Sequence, residues 1–357
     1  MSFDTIPREA PHAYVPILKG MPGEFNAWEH ASTRVRGGCY PLFEVLPRTG
    51  LAVDLTRFLT RLSKASQGND VVMVDSGYID QDTPVGPSLE RAITRIANHL
   101  DLLNVRSVPV IGLSTSPTGL QDAGTVAQMG SRGAALRLDA NRWATGSPGQ
   151  VDHVLKVVGL TGLDIDLVLD FGAVASLTEV SRALSVAAVL EPWVDGGQWR
   201  SVTVASGAFP RSISNLPKGD PPTALDRFDA ILFDQIATAW STPELCFGDF
   251  GVNHPEVADP PRQGPLPNLR YTFGRHWEVY REEKARPGNE SFYTLCRRVV
   301  ASPFWPITGP AYSWGDSEIE SKSRVLGGPG GATQWRSYGT SHHMEHVMER
   351  LATVHAP

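Results

Sequence analysis

Short apolar runs closed by a polar residue recur along the chain at fairly even spacing. The first, Tyr14–Lys19, sets the form: it ends on a lysine, breaks on Gly20-Met21-Pro22-Gly23, and gives way to a helical segment. Similar runs follow at Tyr40–Leu46, Val71–Ser76, Val108–Leu113, Ala134–Asp139, Asp166–Phe171, Ser201–Ser206 and Glu244–Asp249. Most are rich in Val, Ile and Leu on both faces, as strands buried between a barrel interior and an outer helical layer must be. The intervals carry helical spacing. Leu55, Phe58, Leu59 and Leu62 share one face, and so do Leu89, Ile93, Ile96, Leu100 and Leu103. Further helices are predicted at Gln121–Met129, Gly149–Val158, Ser176–Leu190 and Thr223–Thr238.

Eight βα units in succession predict an α/β fold, a (β/α)8 TIM-type barrel, over residues 1–252. A doubly wound open sheet is the alternative, but eight regular units exceed its usual size and no GxGxxG follows the first strand. After Asp249 the pattern changes. A proline-rich loop, an alternating hairpin at Leu269–Tyr280 and helices at Asn289–Val300, Ser317–Ser323 and Ser341–Val354 predict an extension, residues 253–357, packed on the barrel. Thr340 or Ser341 is placed to cap the last helix, with Glu345 near the capping-box position.

Composition narrows the class. Hydrophobic residues make up 41% of 357, enough for a large core, and no apolar run reaches the ~18 residues of a membrane span. The opening residues lack an apolar signal core. Cys39, Cys246 and Cys296 are scattered, which fits a reducing cytoplasm and neither a disulfide framework nor a thiolate zinc site. A net charge of −6 without a basic run argues against wrapping duplex DNA.

In a barrel of this kind the chemistry lies at the carboxyl ends of the strands. The polar residues there are Lys19, Glu44, Asp75, Arg137 with Asp139, Asp170, Ser206 and Asp249. Most of these share a strand face with an apolar residue two positions earlier, Val204 with Ser206 and Phe247 with Asp249 among them. If that partner fills the interior, the polar residue points into the mouth. Any one of them could instead only cap the following helix. Crowded carboxylates either hold a proton or bind a cation. Glu44, Asp75, Asp170 and Asp249 are therefore candidate ligands for Mg²⁺ or Mn²⁺, with Lys19 and Arg137 holding an anion beside them. That combination points to a metal-dependent phosphoester hydrolase, although no HxE, HExxH or DxD spacing supports it. Lys19 could also form a Schiff base with a carbonyl or pyridoxal phosphate; a salt bridge to Glu44 or Asp75 is the plainer reading. Ser206 could help hold a phosphate. In the extension, Arg336, His342 and His343 are candidates to close the site, and Arg275 to bind an anion.

Two stretches carry a resemblance. YVPILKGMPGEFNAW at Tyr14–Trp28 and WRSYGTSHHMEHV at Trp335–Val347 are similar to the opening and closing patterns of the bacterial and phage beta protein family. Lys19, Glu24, Arg336, His342 and His343 match those patterns. The resemblance implies a cytoplasmic, phage- or defence-associated protein and no particular reaction. Two functions are therefore expected as alternatives. One is a hydrolase of a phosphorylated or nucleotide-like small molecule, with Lys19, Glu44, Asp75, Asp170, Asp249 and His342 catalytic and Arg137, Ser206, Arg275, Arg336 and His343 binding substrate. The other is a non-catalytic barrel that recognises a protein or nucleic-acid partner, such as one from the same locus.

Overall fold

A computed structural model describes residues 14–130, 132–242, 244–257, 266–282 and 289–354. The opening residues and most of the proline-rich loop lie outside the described residues. Eight parallel strands close a barrel: β1 (Tyr14–Leu18), β2 (Leu42–Glu44), β3 (Val71–Asp75), β4 (Arg106–Ile111), β5 (Ala134–Asp139), β6 (Ile165–Ala173), β7 (Ser201–Gly207) and β9 (Leu245–Asp249), with β9 pairing back to β1. The expected barrel is therefore present. Its interior is a small cluster that includes Val15, Ile17, Leu42, Met73, Val108, Val110, Ala135, Val168, Ala205, Cys246 and Phe250.

The outer layer holds α1 (Pro22–Glu29), α2 (Thr33–Gly38), α3 (Leu51–Ala65), α4 (Ala92–Asp101), α5 (Pro117–Gly130), α6 (Ser147–Val158), α7 (Leu177–Gly196) and α8 (Phe228–Ala239). These helices bury Leu55, Phe58, Leu62, Ile93, Ile96 and Leu100 against the outer side of the strands, as their spacing predicts, whereas Leu89 and Leu103 lie beyond the ends of α4 and are exposed. None of the described helices is long and apolar enough to cross a membrane.

Two features join the extension to the barrel. First, the segment expected to start a helix at Thr223 is a strand, β8 (Gly219–Asp226). It forms an antiparallel sheet with β10 (Asn268–Phe273) and β11 (His276–Arg281), so the extension's sheet borrows a strand from the β7–α8 connection. That sheet packs through Trp277 and Val279 on Ala208, Phe209 and Val252, residues of the loops after β7 and β9. Second, the last helix belongs to both bodies. It follows α9 (Ser291–Val300) and α10 (Trp314–Ser323) and runs as α11 over Ala332–Val354, nine residues longer at its start than expected. Thr340 and Ser341 are therefore interior helical residues, not caps. Its first turns place Trp335 and Tyr338 in the extension's core beside Phe292. Its later turns place Met344, Val347, Met348 and Leu351 in the barrel's outer core. Glu345 pairs with Arg34 of α2 at 2.8 Å and Arg350 with Asp234 of α8 at 2.9 Å, so α11 fills the place of the eighth barrel helix. Gly339 allows the helix to approach β10: a Cβ there would lie 2.6 Å from the Arg270 carbonyl oxygen.

Candidate active site at the barrel mouth

Five expected residues converge at the carboxyl end of the barrel. Glu44 and Asp75 are register partners on β2 and β3, one position beyond the interior pair Leu42 and Met73 on each strand's inner face. Lys19 continues the inward face of Val15 and Ile17. Its ammonium donates to Glu44 Oε2 at 2.7 Å and to the Pro255 carbonyl. Gly20 makes this possible, since it lies at φ +60° and a Cβ there would stand 2.6 Å from the Glu44 carbonyl oxygen.

Arg137 is the centre of the group. Its Nη1 donates to Glu44 Oε1 and to Asp75 Oδ2, each at 2.8 Å, while Nη2 and Nε reach Asp170 Oδ2 at 2.6 and 3.0 Å. Phe250 lies beneath both cations, with Lys19 Nζ 4.8 Å and the Arg137 guanidinium 5.8 Å from its ring centre. Asp75 and Asp170 do not cap the helices that follow, which start at Ala92 and Leu177, but each also turns its loop. Asp75 Oδ1 accepts the Gly77 N–H and Asp170 Oδ1 the Gly172 N–H, both at 2.8 Å. One oxygen of each shapes the loop and the other faces Arg137. Asp139, by contrast, lies at the exposed rim and caps the short 3-10 turn Ala140–Arg142, accepting from Asn141 N and pairing with Arg142 at 3.1 Å.

The charges do not balance within this cluster. Three carboxylates face two cations. Burial pushes the Asp75 carboxyl up and Glu44 adds to the shift, against the pull of Arg137. The acid form of Asp75 therefore persists to higher pH than that of an ordinary aspartate. Burial, helped by Glu44, likewise raises the Tyr78 phenol, whose hydroxyl stands 3.3 Å from Glu44 Oε1. Glu44 has no exposed surface, and Asp75 keeps 8%. Arg137, Asp170 and the half-exposed Tyr78 form the accessible edge.

Asp249 and Ser206 do not point into the mouth, contrary to expectation. The inward residues of β7 and β9 are Ala205, Cys246 and Phe250, whereas Val204 and Phe247 belong to the outer core. Asp249 therefore faces α11. Its oxygens accept from Tyr14 Oη at 2.6 Å, Gly251 N at 2.9 Å, and Arg227 Nη2 and His343 Nε2 at 2.8 Å each. Four hydrogen bonds fill a carboxylate's acceptor capacity and leave none for a metal ion. Ser206 is buried on the same outward side as Val204. His342 is also remote from the mouth cluster. It stacks on Tyr271 at 3.8 Å, with Nδ1 2.9 Å from Asp316 and Nε2 2.8 Å from the Thr272 carbonyl. Arg275 occupies the turn between β10 and β11 and pairs with Asp234 on the surface.

The residues fit a metal poorly. Arg137 already holds the position between Glu44, Asp75 and Asp170 that a divalent ion would need. Among the described residues no group of three His, Cys, Asp or Glu side chains could hold a metal ion.

The first and last motifs nevertheless meet in space. Glu24 of α1 is buried and accepts from Met21 N at 3.0 Å and from Asn253 Nδ2 at 2.7 Å; Arg336 of α11 donates to Asn253 Oδ1. Tyr14 and His343 meet through Asp249. A family model described as Beta protein matches residues 14–349, a span that holds both motifs. The chain belongs to the Beta protein family. No curated protein matches it. Among solved structures, a triazine hydrolase variant is similar at 11% identity and a TM-score of 0.26, over 66% of this chain and 59% of its own. Triazine hydrolase from Arthobacter aurescens is similar at 11% identity and a TM-score of 0.29, over 69% and 61%. The chain thus spans about three fifths of the length of these structures. Likeness at this level bears on neither substrate nor reaction.

Three residues of the family member's mouth escaped sequence reading: Phe250, Tyr78 and Asn253. Phe250 had a signal, since it continues the inward alternation of Cys246 and Gly248 once β9 is placed in the correct register.

Proposed function

We propose that this Beta protein is a hydrolase that works by carboxylate acid–base chemistry at the barrel mouth, on a neutral or cationic polar substrate. The observation that carries the reading is the convergence of Glu44, Asp75 and Asp170 on the single guanidinium of Arg137. Asp75, whose acid form burial favours, is the proton donor to a leaving group. Asp170, at the more open edge, accepts a proton from the attacking water. Arg137 keeps the two carboxyl groups in place, and Lys19 holds Glu44. The phosphoester or nucleotide substrate expected from the sequence would add negative charge to a cluster that already carries a surplus of it. An Mg²⁺ or Mn²⁺ ion would have to displace Arg137.

The test is a hydrolysis screen with chromogenic esters, amides, glycosides and phosphoesters, with chelator and with added Mg²⁺ or Mn²⁺. The expected result is chelator-insensitive turnover of a non-phosphorylated substrate, lost in Asp75→Asn and Asp170→Asn while their melting temperatures hold. Metal-dependent phosphoester turnover would overturn it.

A second reading has its own support. The Lys19 ammonium is covered by the Pro255 carbonyl and Glu44 is fully buried, as in a mouth closed by design. A non-catalytic barrel that recognises a partner, in the phage-conflict setting the family resemblance implies, is supported by that closure. No turnover across the screen, together with specific capture of a protein encoded beside it, would favour this reading.

A further inference from the structure

Beside the mouth lies a second polar group that the proposed chemistry does not use. Arg270 of β10 and Arg336 of α11 converge on Asn253, the loop residue after β9. Both donate to its side-chain oxygen, Arg270 Nη1 at 3.4 Å and Arg336 Nη1 more closely. Arg270 Nη1 also donates to the Val252 carbonyl, and its guanidinium lies 4.2 Å from the Phe209 ring centre. No carboxylate among the described residues forms an ion pair with either arginine. Glu24, the nearest acid, is reached only through the Asn253 amide. Arg270 Nε is buried without a hydrogen-bond partner. Both side chains keep some exposed surface.

Two guanidiniums brought together, desolvated and sharing one neutral acceptor form an uncompensated arrangement. Buried charges are ordinarily paired, and an unpaired donor costs free energy. Burial and mutual repulsion both disfavour the charged form of Arg270, and burial does so for Arg336 against the pull of Glu24. Packing alone does not explain the pairing, since Asn253 has a single carbonyl oxygen to offer. The planar, forked donors of two arginines match the oxygens of a carboxylate or phosphate group.

We propose that Arg270 and Arg336, bridged by Asn253, form an oxyanion-binding site for a small molecule that carries a phosphate or carboxylate group. The site is independent of the acid–base reading of the mouth. It is positioned close to it, however, because the Glu24 carboxylate that holds Asn253 also accepts the backbone N–H of Met21, two residues after Lys19. The anion replaces the missing counter-charge and supplies an acceptor for Arg270 Nε.

The experiment is calorimetric titration of the full-length protein with inorganic phosphate and, separately, succinate at matched ionic strength. Wild type, Arg336→Gln, Arg270→Gln and Asp75→Asn are compared. The expected result is saturable binding of one anion, weakened about ten- to hundredfold in each arginine variant and unchanged in Asp75→Asn. Whichever anion binds identifies the source of the oxyanion. In case an arginine variant does not fold, wild-type protein is labelled with phenylglyoxal with and without the anion, and the sites are mapped by mass. Protection confined to Arg270 and Arg336 supports the site. Absence of binding by both anions, or binding that survives both arginine substitutions but fails in Asp75→Asn, overturns it.

Discussion

His343 Nε2 stands 2.8 Å from Asp249 Oδ2, which joins the last helix of the chain to the last strand of the barrel. The pair is fully buried, and Tyr14 and Arg227 complete the ring of donors around the carboxylate. Its role is to hold α11 on the barrel. Asp249→Ala leaves the buried Arg227 only Asp229 as a partner and strands a tyrosine hydroxyl and an imidazole N–H. It should cost about 3–5 kcal/mol, read from chemical denaturation. A loss below about 1 kcal/mol would contradict the structural role.

The same pair sets a pH dependence. Burial lowers the His343 pKa, opposed by Asp249, whereas the Asp249 carboxyl, despite its own burial, is held below the usual carboxylate range by His343, Arg227 and Tyr14. Burial favours the neutral ring in the folded protein, with its Nε2–H given to Asp249 and its Nδ1 receiving the Thr272 hydroxyl. The unfolded ring takes up a proton as pH falls below about 6.5. Stability therefore falls with acidification, by at most about 1.4 kcal/mol per pH unit for this one proton. Asp249 adds to the loss only below its ordinary pKa of about 4. Unfolding measured from pH 7 to 5 should show a shallower decline in His343→Gln than in wild type. Parallel curves would show that another group takes up the proton.

At the mouth, Asp75 and Arg137 should respond in opposite ways. Asp75→Asn keeps the shape and removes a charge that burial disfavours, so its stability at pH 8 should stay within about 1 kcal/mol of wild type. Arg137→Met leaves three carboxylates facing each other without their shared partner and should destabilise by about 3 kcal/mol or more. Thermal and urea unfolding of both variants at one pH distinguishes this from a uniform structural effect.

Gly20→Ala tests the turn that delivers Lys19. A side chain there must adopt a left-handed backbone and meet the Glu44 carbonyl at 2.6 Å. The left-handed conformation alone costs about 1–2 kcal/mol, and the contact adds to it. A drop in melting temperature is expected, and an unchanged value would mean the β1–α1 turn can rearrange freely.

How much of this was legible from sequence depends on the strand. For β1, β2, β3, β5 and β6 the polar residue after the apolar run does face inward. Lys19, Glu44, Asp75, Arg137 and Asp170 were found on that basis. The same rule failed for Ser206 and Asp249. Both faces of a parallel barrel strand are apolar, so Val204 and Phe247 look like interior residues although they pack beneath α8 and α11. Alternation identifies which residues share a face and leaves open which face it is. β8 was missed because Gly219–Asp226, with two prolines and little apolar content, has none of the local signals of a strand. It is held by β11, a partner fifty residues away in the chain. The convergence of Arg270 and Arg336 has no local sequence signal either, since it depends on how the sheet and α11 pack together.

The placement of α11 has a consequence for synthesis. The helix that completes the ring follows all eight barrel strands in the sequence and is made after them. Until it emerges, the outer surfaces of β1 and β9 lack part of their cover, and Asp249 lacks one of its four donors, His343. A nascent barrel therefore cannot complete its outer layer strand by strand as it is made, and the side of the β1–β9 seam that α11 packs on stays open to water and to chaperones until α11 has been made. Shortening the chain from its C-terminus would hold the protein in that unsealed condition permanently.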